Sequence, residues 1–314
     1  MVFNLDVAFA LASLVAIALV LDVGTACLAA IFLFLYFGSF GRIAGTFLQY
    51  AWLPALTGAF LAWRAGRYRQ SAAWWALATL LQTFPLALVG GIALRWAWLA
   101  AGFGATCLAL HGIEPWQQWA HKIGVHGRYL VGEVFDIGLR NLMATILSSG
   151  VARASTYAQD APNVAVRLAA FASYEWLWYL VAGATLAYIG WRMRHVNSAG
   201  VVALGYVLMY VFLDLSPYYY TSLTLLFVLF PLTDERHGLI VQGGLFALLA
   251  YHAAQMPTGY ITFQWSDHLV SELLIAAFMS ALLVVATRPR GVDAQRAALA
   301  PTRRTARRGA ASRR

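Results

Sequence analysis

The sequence predicts an all-α polytopic membrane protein, and three observations predict it. Its 314 residues are 61% hydrophobic and 11% charged, where soluble domains run about 45–50% apolar and about 25% charged. Mean hydropathy is +0.67, and the chain holds repeated apolar runs on the scale of a hydrocarbon core of about 30 Å. Alternating apolar-out, polar-in strands, the mark of an outer-membrane barrel, are absent. Soluble enzymes, disordered chains and singly anchored proteins are thereby excluded.

The apolar runs place the spans in order. They cover Val7–Leu21, Gly24–Phe40, Thr46–Trp63 and, after an interrupted segment, Ala97–His111. Later spans are Phe171–Trp191, Gly200–Asp214, Tyr218–Leu232, Leu239–Gln255 and Leu269–Thr287. These are about nine crossings. Residues 1–287 form one bundle with an outer loop over 112–166, and 288–314 form a disordered basic tail. Cys27 and Cys107 lie inside apolar runs and read as small apolar fillers.

Basic residues orient the bundle. Arg64, Arg67, Arg69, Arg95, Arg192, Arg194, Arg236 and the tail hold 16 of the 22, and that side is assigned to the cytoplasm. The C-terminus is then cytoplasmic, in a bacterial inner membrane. The tail is read as touching anionic lipid rather than nucleic acid.

The segment Ser71–Leu94 breaks parity, because Arg69 before it and Arg95 after it belong to the same side. At its centre, Pro85 lacks a backbone donor and disfavours helix before it. Two half-helices, Ser71–Gln82 and Leu86–Leu94, are expected to meet at a bend as a re-entrant pair. Twelve residues rise about 18 Å, too little to cross. Such breaks survive where protein or a water-lined cavity satisfies the backbone, so Gln82 and Thr83 are cavity-lining candidates.

Polar chemistry collects on the outer side. Trp116, Trp119 and Ile123 are spaced for an interfacial amphipathic helix. The stretch His126–Asn141 carries Glu133, Asp136, Arg140 and Asn141. Arg140 follows Asp136 at i+4, the spacing of a helical ion pair. Its guanidinium also suits bidentate recognition of phosphate. Tyr218, Tyr219 and Tyr220 form either an interfacial belt or a platform for a sugar or prenyl chain. Gln49 sits at the outer end of the third span. Asp214, Asp267 and Glu272 are the carboxylates available for acid–base work, and Asp214 at the end of an apolar helix is costly unless hydrated or paired. No metal-ligand spacing, nucleophile elbow or phosphate-cradling glycine loop is present, so no metal or cofactor is expected.

The run TFLQYAWLPALTGAFLAWRAGRYRQSAAWWALATLLQTFPLALVGGIALRWAW resembles the middle of family 87 glycosyltransferases of the GT-C class. There a helix ends in a basic turn, and the next runs to Phe/Tyr-Pro and a basic exit. The stretch HGIEPWQQWAHKIGVHGRYLVGEVFDIGLRNLMATI is similar to that family's outer loop, and SPYYYTSLTLLFVLF to its late Tyr-rich turn. The resemblance covers roughly residues 25–235. It implies a GT-C-like bundle that moves a sugar from a polyprenyl-phosphate donor to a lipid or glycan acceptor, with inversion, on the outer face. It places the family's first outer loop and its acid upstream of Met1. Where the family often has Arg or Lys ahead of Phe/Tyr-Pro, this chain has Gln82.

Transferred to this chain, the resemblance makes Asp214 or Asp267 the base. Arg140, Asn141 and His126 would meet the donor. Gln49, Gln82, Tyr218, Tyr219 and Tyr220 would line the cavity and groove. The alternative is a non-catalytic membrane assembly protein or a transporter. A broken helix is also how transporters build their sites, but no internal repeat is visible. Cysteine labelling of intact cells tests the orientation: residues 112–166 should react from outside and Arg64–Gln70 should not. The reverse pattern defeats it.

Overall fold

The computed structural model describes residues 5–36, 50–82, 84–96, 105, 108–109, 112–114, 117–118, 121, 137–148, 160–215, 217–231, 235–255 and 265–288, with side chains at 160–166, 217–218, 235–236, 252–255 and 265–268 excepted. The described elements are helical, and the β structure among them is one isolated bridge, Ile137 with Leu215. In chain order the helices are α1 (Leu5–Val20), α2 (Val23–Leu35), α3 (Trp52–Arg64), α4 (Tyr68–Leu81), α5 (Pro85–Leu88) and α6 (Gly90–Arg95). There follow α7 (Leu139–Leu147), α8 (Asp160–Arg192), α9 (Ser198–Phe212), α10 (Leu226–Leu229), α11 (Glu235–Gln255) and α12 (Trp265–Thr287).

Local chemistry explains the boundaries. Asp22 caps α2 by accepting from the Thr25 N–H at 2.7 Å and the Thr25 hydroxyl at 2.8 Å. These bonds hold its carboxyl below the usual range. Asn197 caps α9 through the Gly200 N–H at 2.8 Å. Helix α4 stops at Leu81 and Gln82 is extended. A proline ring clashes with the carbonyl four residues earlier, and four before Pro85 is Leu81. The expected break is therefore present, with the second half divided into α5 and α6.

Two boundaries correct the sequence reading. The span expected over Tyr218–Leu232 begins instead as a 3₁₀ helix, Pro217–Leu225, and becomes α10 only for its last turn. The Ser222 hydroxyl donates to the Tyr219 carbonyl at 2.7 Å, a three-residue step that suits 3₁₀ winding. The span expected over Phe171–Trp191 is longer. Helix α8 starts at Asp160, inside the stretch read as loop, and departs from helical angles at Tyr174.

Basic residues gather at one end of the bundle. The Arg64 guanidinium donates to the Val228 carbonyl, Arg95 to that of Val196 and Arg192 to that of Thr287. Each clamps a carbonyl at or next to the end of another element, where a cation meets the negative pole of a helix. Trp63 ties the same end together by donating from Nε1 to the Ser198 carbonyl at 2.8 Å. Tyr68 and Trp96 both lie against the Trp63 ring, at 4.9 and 6.2 Å. The segment α4–α6 thus leaves and returns at one end as a hairpin, with Gln82 at its tip.

The hairpin lies on α3 and α9. The Ser71 hydroxyl donates to the Ala59 carbonyl at 2.8 Å, and Phe60 stacks on Trp75 at 5.4 Å. A Cβ at Gly91 would fall 2.0 Å from the Val201 carbonyl oxygen, and one at Gly205 would fall 2.1 Å from that of Leu88. These two glycines let the backbones of α5–α6 and α9 touch.

Within α12, Leu269–Thr287 is long and apolar enough to cross a bilayer, with mean hydropathy 2.4. Leu5–Val20, Val23–Leu35 and Ser198–Phe212 are apolar but shorter. Outward faces are apolar too. In α1, Ala10, Leu14 and Ile17 are buried, while Leu11, Val15 and Leu19 are exposed, Leu19 by 82%. Residues 46–49 of the span expected over Thr46–Trp63, most of that expected over Ala97–His111, and the tail after Arg288 lie outside the described residues.

The glycine contact gives a stability prediction. Gly205→Ala drives a methyl into backbone and should cost on the order of 1–3 kcal/mol. Gly183→Ala, with nothing near its added carbon, should be neutral or mildly stabilising. Thermal unfolding in detergent compares the two, and equal midpoints would show that the backbones do not touch.

Candidate functional site

The end of the bundle opposite the arginine clamps is built around α7. This nine-residue helix begins at Gly138, an N-cap without a side chain. Asp214, from the turn after α9, supplies the missing cap: its Oδ1 accepts the Asn141 backbone N–H at 3.2 Å. The approach demands glycine on steric grounds, because a Cβ at Gly138 would lie 2.3 Å from Asp214 Oδ1. The bridge fixes the register, with Ile137 N–H to Leu215 carbonyl at 2.9 Å and the reverse bond at 3.1 Å. Tyr220, fully buried, donates its hydroxyl to the Ile137 carbonyl at 3.1 Å.

Asn141 then joins three further groups. Its side-chain N–H donates to Glu272 Oε1 of α12 at 3.2 Å. Its Oδ1 accepts from Arg167 of α8 at 2.7 Å. Arg167 also donates to the Thr145 hydroxyl, which donates to the Asn141 carbonyl at 2.8 Å. Asn141, Thr145, Arg167, Asp214 and Glu272 are all buried. Two carboxylates from separate elements are thereby held on one residue, with a guanidinium behind them. A buried charge is tolerable only when paired and hydrogen-bonded in this manner.

Asp214 carries the clearest electrostatic signature. Burial pushes its carboxyl from an ordinary 3.8 to about 6, against the opposing pull of Arg140, the Asn141 N–H and Arg167. Its Oδ2 is buried and accepts no hydrogen bond from the described residues. Arg140 lies over two aromatic rings, 5.3 Å from the centroid of Phe171 and 5.1 Å from that of Trp178, with its Nε buried and without a hydrogen-bond partner. Trp178 is held in turn by donating to the Val211 carbonyl at 2.9 Å.

The hairpin tip reaches this end as well. Gln82 Nε2 donates to the Tyr219 hydroxyl at 3.2 Å, and the Tyr219 ring lies 4.8 Å from Phe84. Phe84 meets Trp52 edge-on at 4.6 Å. Beyond Trp52, the Tyr50 N–H donates to the buried carboxylate of Asp6 at 2.8 Å.

Of the residues singled out in the sequence, Asp214, Asn141 and Arg140 meet at α7, Tyr220 secures the bridge above them, and Gln82 meets Tyr219. Gln49, Thr83, His126 and the side chains of Tyr218 and Asp267 lie outside the described residues, as does Asp136, the expected partner of Arg140. Arg167 and Thr145 were missed. Arg167 reads in the sequence as a loop basic residue, and only the path of α8 brings it to Asn141. Glu272 was legible as a carboxylate in an apolar helix, a costly placement that marks a polar partner. Among the described residues no group of three or more His, Cys, Asp or Glu could hold a metal ion. No family model, curated protein or solved structure matches this chain.

Two measurements follow from the network. Asn141→Leu leaves Glu272 and Arg167 without the amide between them and should cost on the order of 3–5 kcal/mol, read as a lower unfolding midpoint. For Asp214, the raised folded value means that the folded state favours the protonated carboxyl. Its contribution to stability is therefore full below its ordinary value of 3.8 and falls as pH rises through about 6. Asp214→Asn should remove that part of the stability–pH slope. An unchanged slope would mean that the carboxyl titrates alike in the folded and unfolded chains.

Proposed function

We propose that the chain is a polytopic inner-membrane glycosyltransferase of the GT-C type, or part of one, acting on a polyprenyl-phosphate sugar and a lipid or glycan acceptor. About nine crossings and a re-entrant α4–α6 hairpin make up the bundle, with the arginine-clamped end cytoplasmic. Apolar side chains on the outward faces of α1, α8 and α12 support a lipid environment. So does the gathering of the Arg64, Arg95 and Arg192 clamps at one end of the bundle.

The observation that carries the reading is the half-used carboxylate of Asp214 beside Arg140. Asp214 Oδ1 is committed to capping α7, while Oδ2 accepts no bond from the described residues. In the transfer, the acceptor hydroxyl attacks the anomeric carbon and its proton passes to Asp214 Oδ2. The bond between the anomeric carbon and the phosphate oxygen breaks with inversion, and polyprenyl phosphate leaves with the electron pair. The Arg140 guanidinium, oriented by its two aromatic faces, meets the phosphate charge that develops. A base is most useful when its acid strength lies near the operating pH, which the elevated Asp214 carboxyl approaches.

A second reading is a non-catalytic membrane assembly protein or a transporter. It is favoured by the closed bonding of Arg167, Asn141 and Glu272, which serves packing as well as chemistry. Binding of polyprenyl phosphate to the purified full chain separates the two. Hydrogen bonds to a charged group contribute about 1.5–3 kcal/mol, so Arg140→Ala should weaken binding roughly tenfold or more. Arg140→Lys should restore part of it, and Arg153→Ala, at another arginine of the 112–166 stretch, should change it little. Equal small effects at Arg140 and Arg153 would assign Arg140 to packing alone.

A further inference from the structure

The outward face of the α4–α6 hairpin joins a cationic end to an apolar stripe, and the transfer step uses neither. At the arginine-clamped end, Arg67, Arg69 and Arg95 are all exposed. Arg67 is the residue before α4, Arg69 lies in its first turn and Arg95 closes α6. Tyr68 and Trp96 rest on the same Trp63 ring, so the start of α4 adjoins the end of α6. The Arg95 guanidinium is held by the Val196 carbonyl and lies 5.4 Å from the Trp96 centroid. It keeps N–H donors beyond the one given to Val196. Asp22, within electrostatic reach of Arg64, is spent on the Thr25 cap.

Helix α4 carries this cationic end directly into an apolar surface. Its buried side, Ser71, Trp75 and Ala78, is turned inward, with Ser71 and Trp75 against α3. The opposite side presents Arg69, Ala73, Ala76 and Leu80, spaced at i, i+4, i+7 and i+11 for one helix face. All four are exposed, Leu80 by 85%. From Arg69 to Leu80 the helix rises about 17 Å, roughly half of a hydrocarbon core of about 30 Å. The two alanines lower the surface between the arginine and the leucine.

A soluble phosphate or a nucleic acid would use the arginines and leave the stripe bare. An uncharged lipid would cover the stripe and bring no anion to the guanidiniums. A phospholipid with a net negative headgroup meets both, its phosphate on the planar guanidinium forks and its acyl chain along the stripe. Tyr68 and Trp96 stand at the headgroup level, where aromatic side chains with a polar edge are favoured. We infer that the outward face of the hairpin seats one anionic phospholipid of the leaflet on the arginine side, with its phosphate at Arg67, Arg69 and Arg95 and an acyl chain along Ala73, Ala76 and Leu80. This rests on the membrane part of the proposed reading and not on the transferase part. The seat lies at the opposite end of the hairpin from the Gln82–Tyr219 contact, so the lipid braces the hairpin and is not the donor.

Exposed positions allow the test without disturbing the core. Arg67→Gln with Arg69→Gln removes the headgroup contact, and Ala76→Trp blocks the acyl track. The purified full chain in detergent is titrated with a fluorescent phosphatidylglycerol. Unlabelled phosphatidylglycerol, phosphatidylcholine, glycerol 1-phosphate and a short RNA then compete for it. Phosphatidylglycerol should compete best, and the double arginine variant should lose about tenfold of that affinity or more, while a control with Arg313→Gln and Arg314→Gln stays within about twofold. Ala76→Trp should weaken phosphatidylglycerol and leave glycerol 1-phosphate unchanged. An equal loss in the tail control means diffuse attraction by net charge and overturns the seat. Equal competition by phosphatidylcholine, glycerol 1-phosphate or RNA overturns it too, as does full affinity in Ala76→Trp. If the wild-type chain enters neither phosphatidylcholine nor phosphatidylglycerol bilayers on reconstitution, the membrane reading fails and the seat with it. A chain that enters both but shows no preference for phosphatidylglycerol overturns the seat alone.

Discussion

The polar end of the bundle depends on one side chain, the carboxamide of Asn141, and on the helix that presents it. An amide is suited to the task because it gives and accepts at once. Its N–H faces Glu272, its carbonyl oxygen faces Arg167, and its backbone N–H is spent on Asp214. A residue with only donors or only acceptors would leave one of these charges facing a like dipole in a low-dielectric interior. Four elements that share no sequence proximity, α7, α8, α12 and the turn after α9, are thereby registered to one another. The polar contacts separate partners by 73 and 131 positions, so they act on tertiary arrangement and not on local folding.

This arrangement makes structure and chemistry hard to separate at Asp214. One oxygen completes a helix that begins at glycine, and the other accepts no hydrogen bond from the described residues. The helix end helps to hold the ionised form, burial opposes it, and the resulting balance keeps the carboxyl within reach of neutral pH. Arg140 follows the same economy. Its guanidinium faces rest on Phe171 and Trp178, which positions the charge without consuming its N–H groups.

Particular residues show how far the sequence discloses this. The break near Pro85 was legible because proline acts on the carbonyl four residues back, a local effect. The gathering of Arg64, Arg95 and Arg192 at one end was legible because basic residues cluster in the sequence at the ends of apolar runs. Gln82 and Tyr219 were each recognisable as polar groups in apolar surroundings, but their meeting depends on a hairpin tip reaching a turn 137 positions away. Arg167 was not legible for a similar reason: nothing near it in the chain distinguishes a loop arginine from one that will anchor an amide 26 residues earlier. The 3₁₀ winding after Pro217 escaped because hydroxyl bonds such as that of Ser222 compete with α-helical pairing in a way that hydrophobic periodicity does not register.

On the membrane reading proposed above, the shortness of the apolar helices has a mechanical consequence for the bilayer around them. Helices α1, α2 and α9 hold 16, 13 and 15 residues, and at about 1.5 Å per residue they rise only about 20–24 Å. A hydrocarbon layer of about 30 Å overhangs such elements by several ångströms, and the mismatch is relieved by thinning the lipid around the protein. Acyl chains that compress at the outer rim draw the headgroup plane down toward the buried carboxylates. On that reading the headgroup of the proposed polyprenyl-phosphate donor reaches the level of α7 without leaving its own leaflet. Helix length, usually read only as a count of crossings, here sets how deep into the membrane a polar site can sit and still be met from the surface.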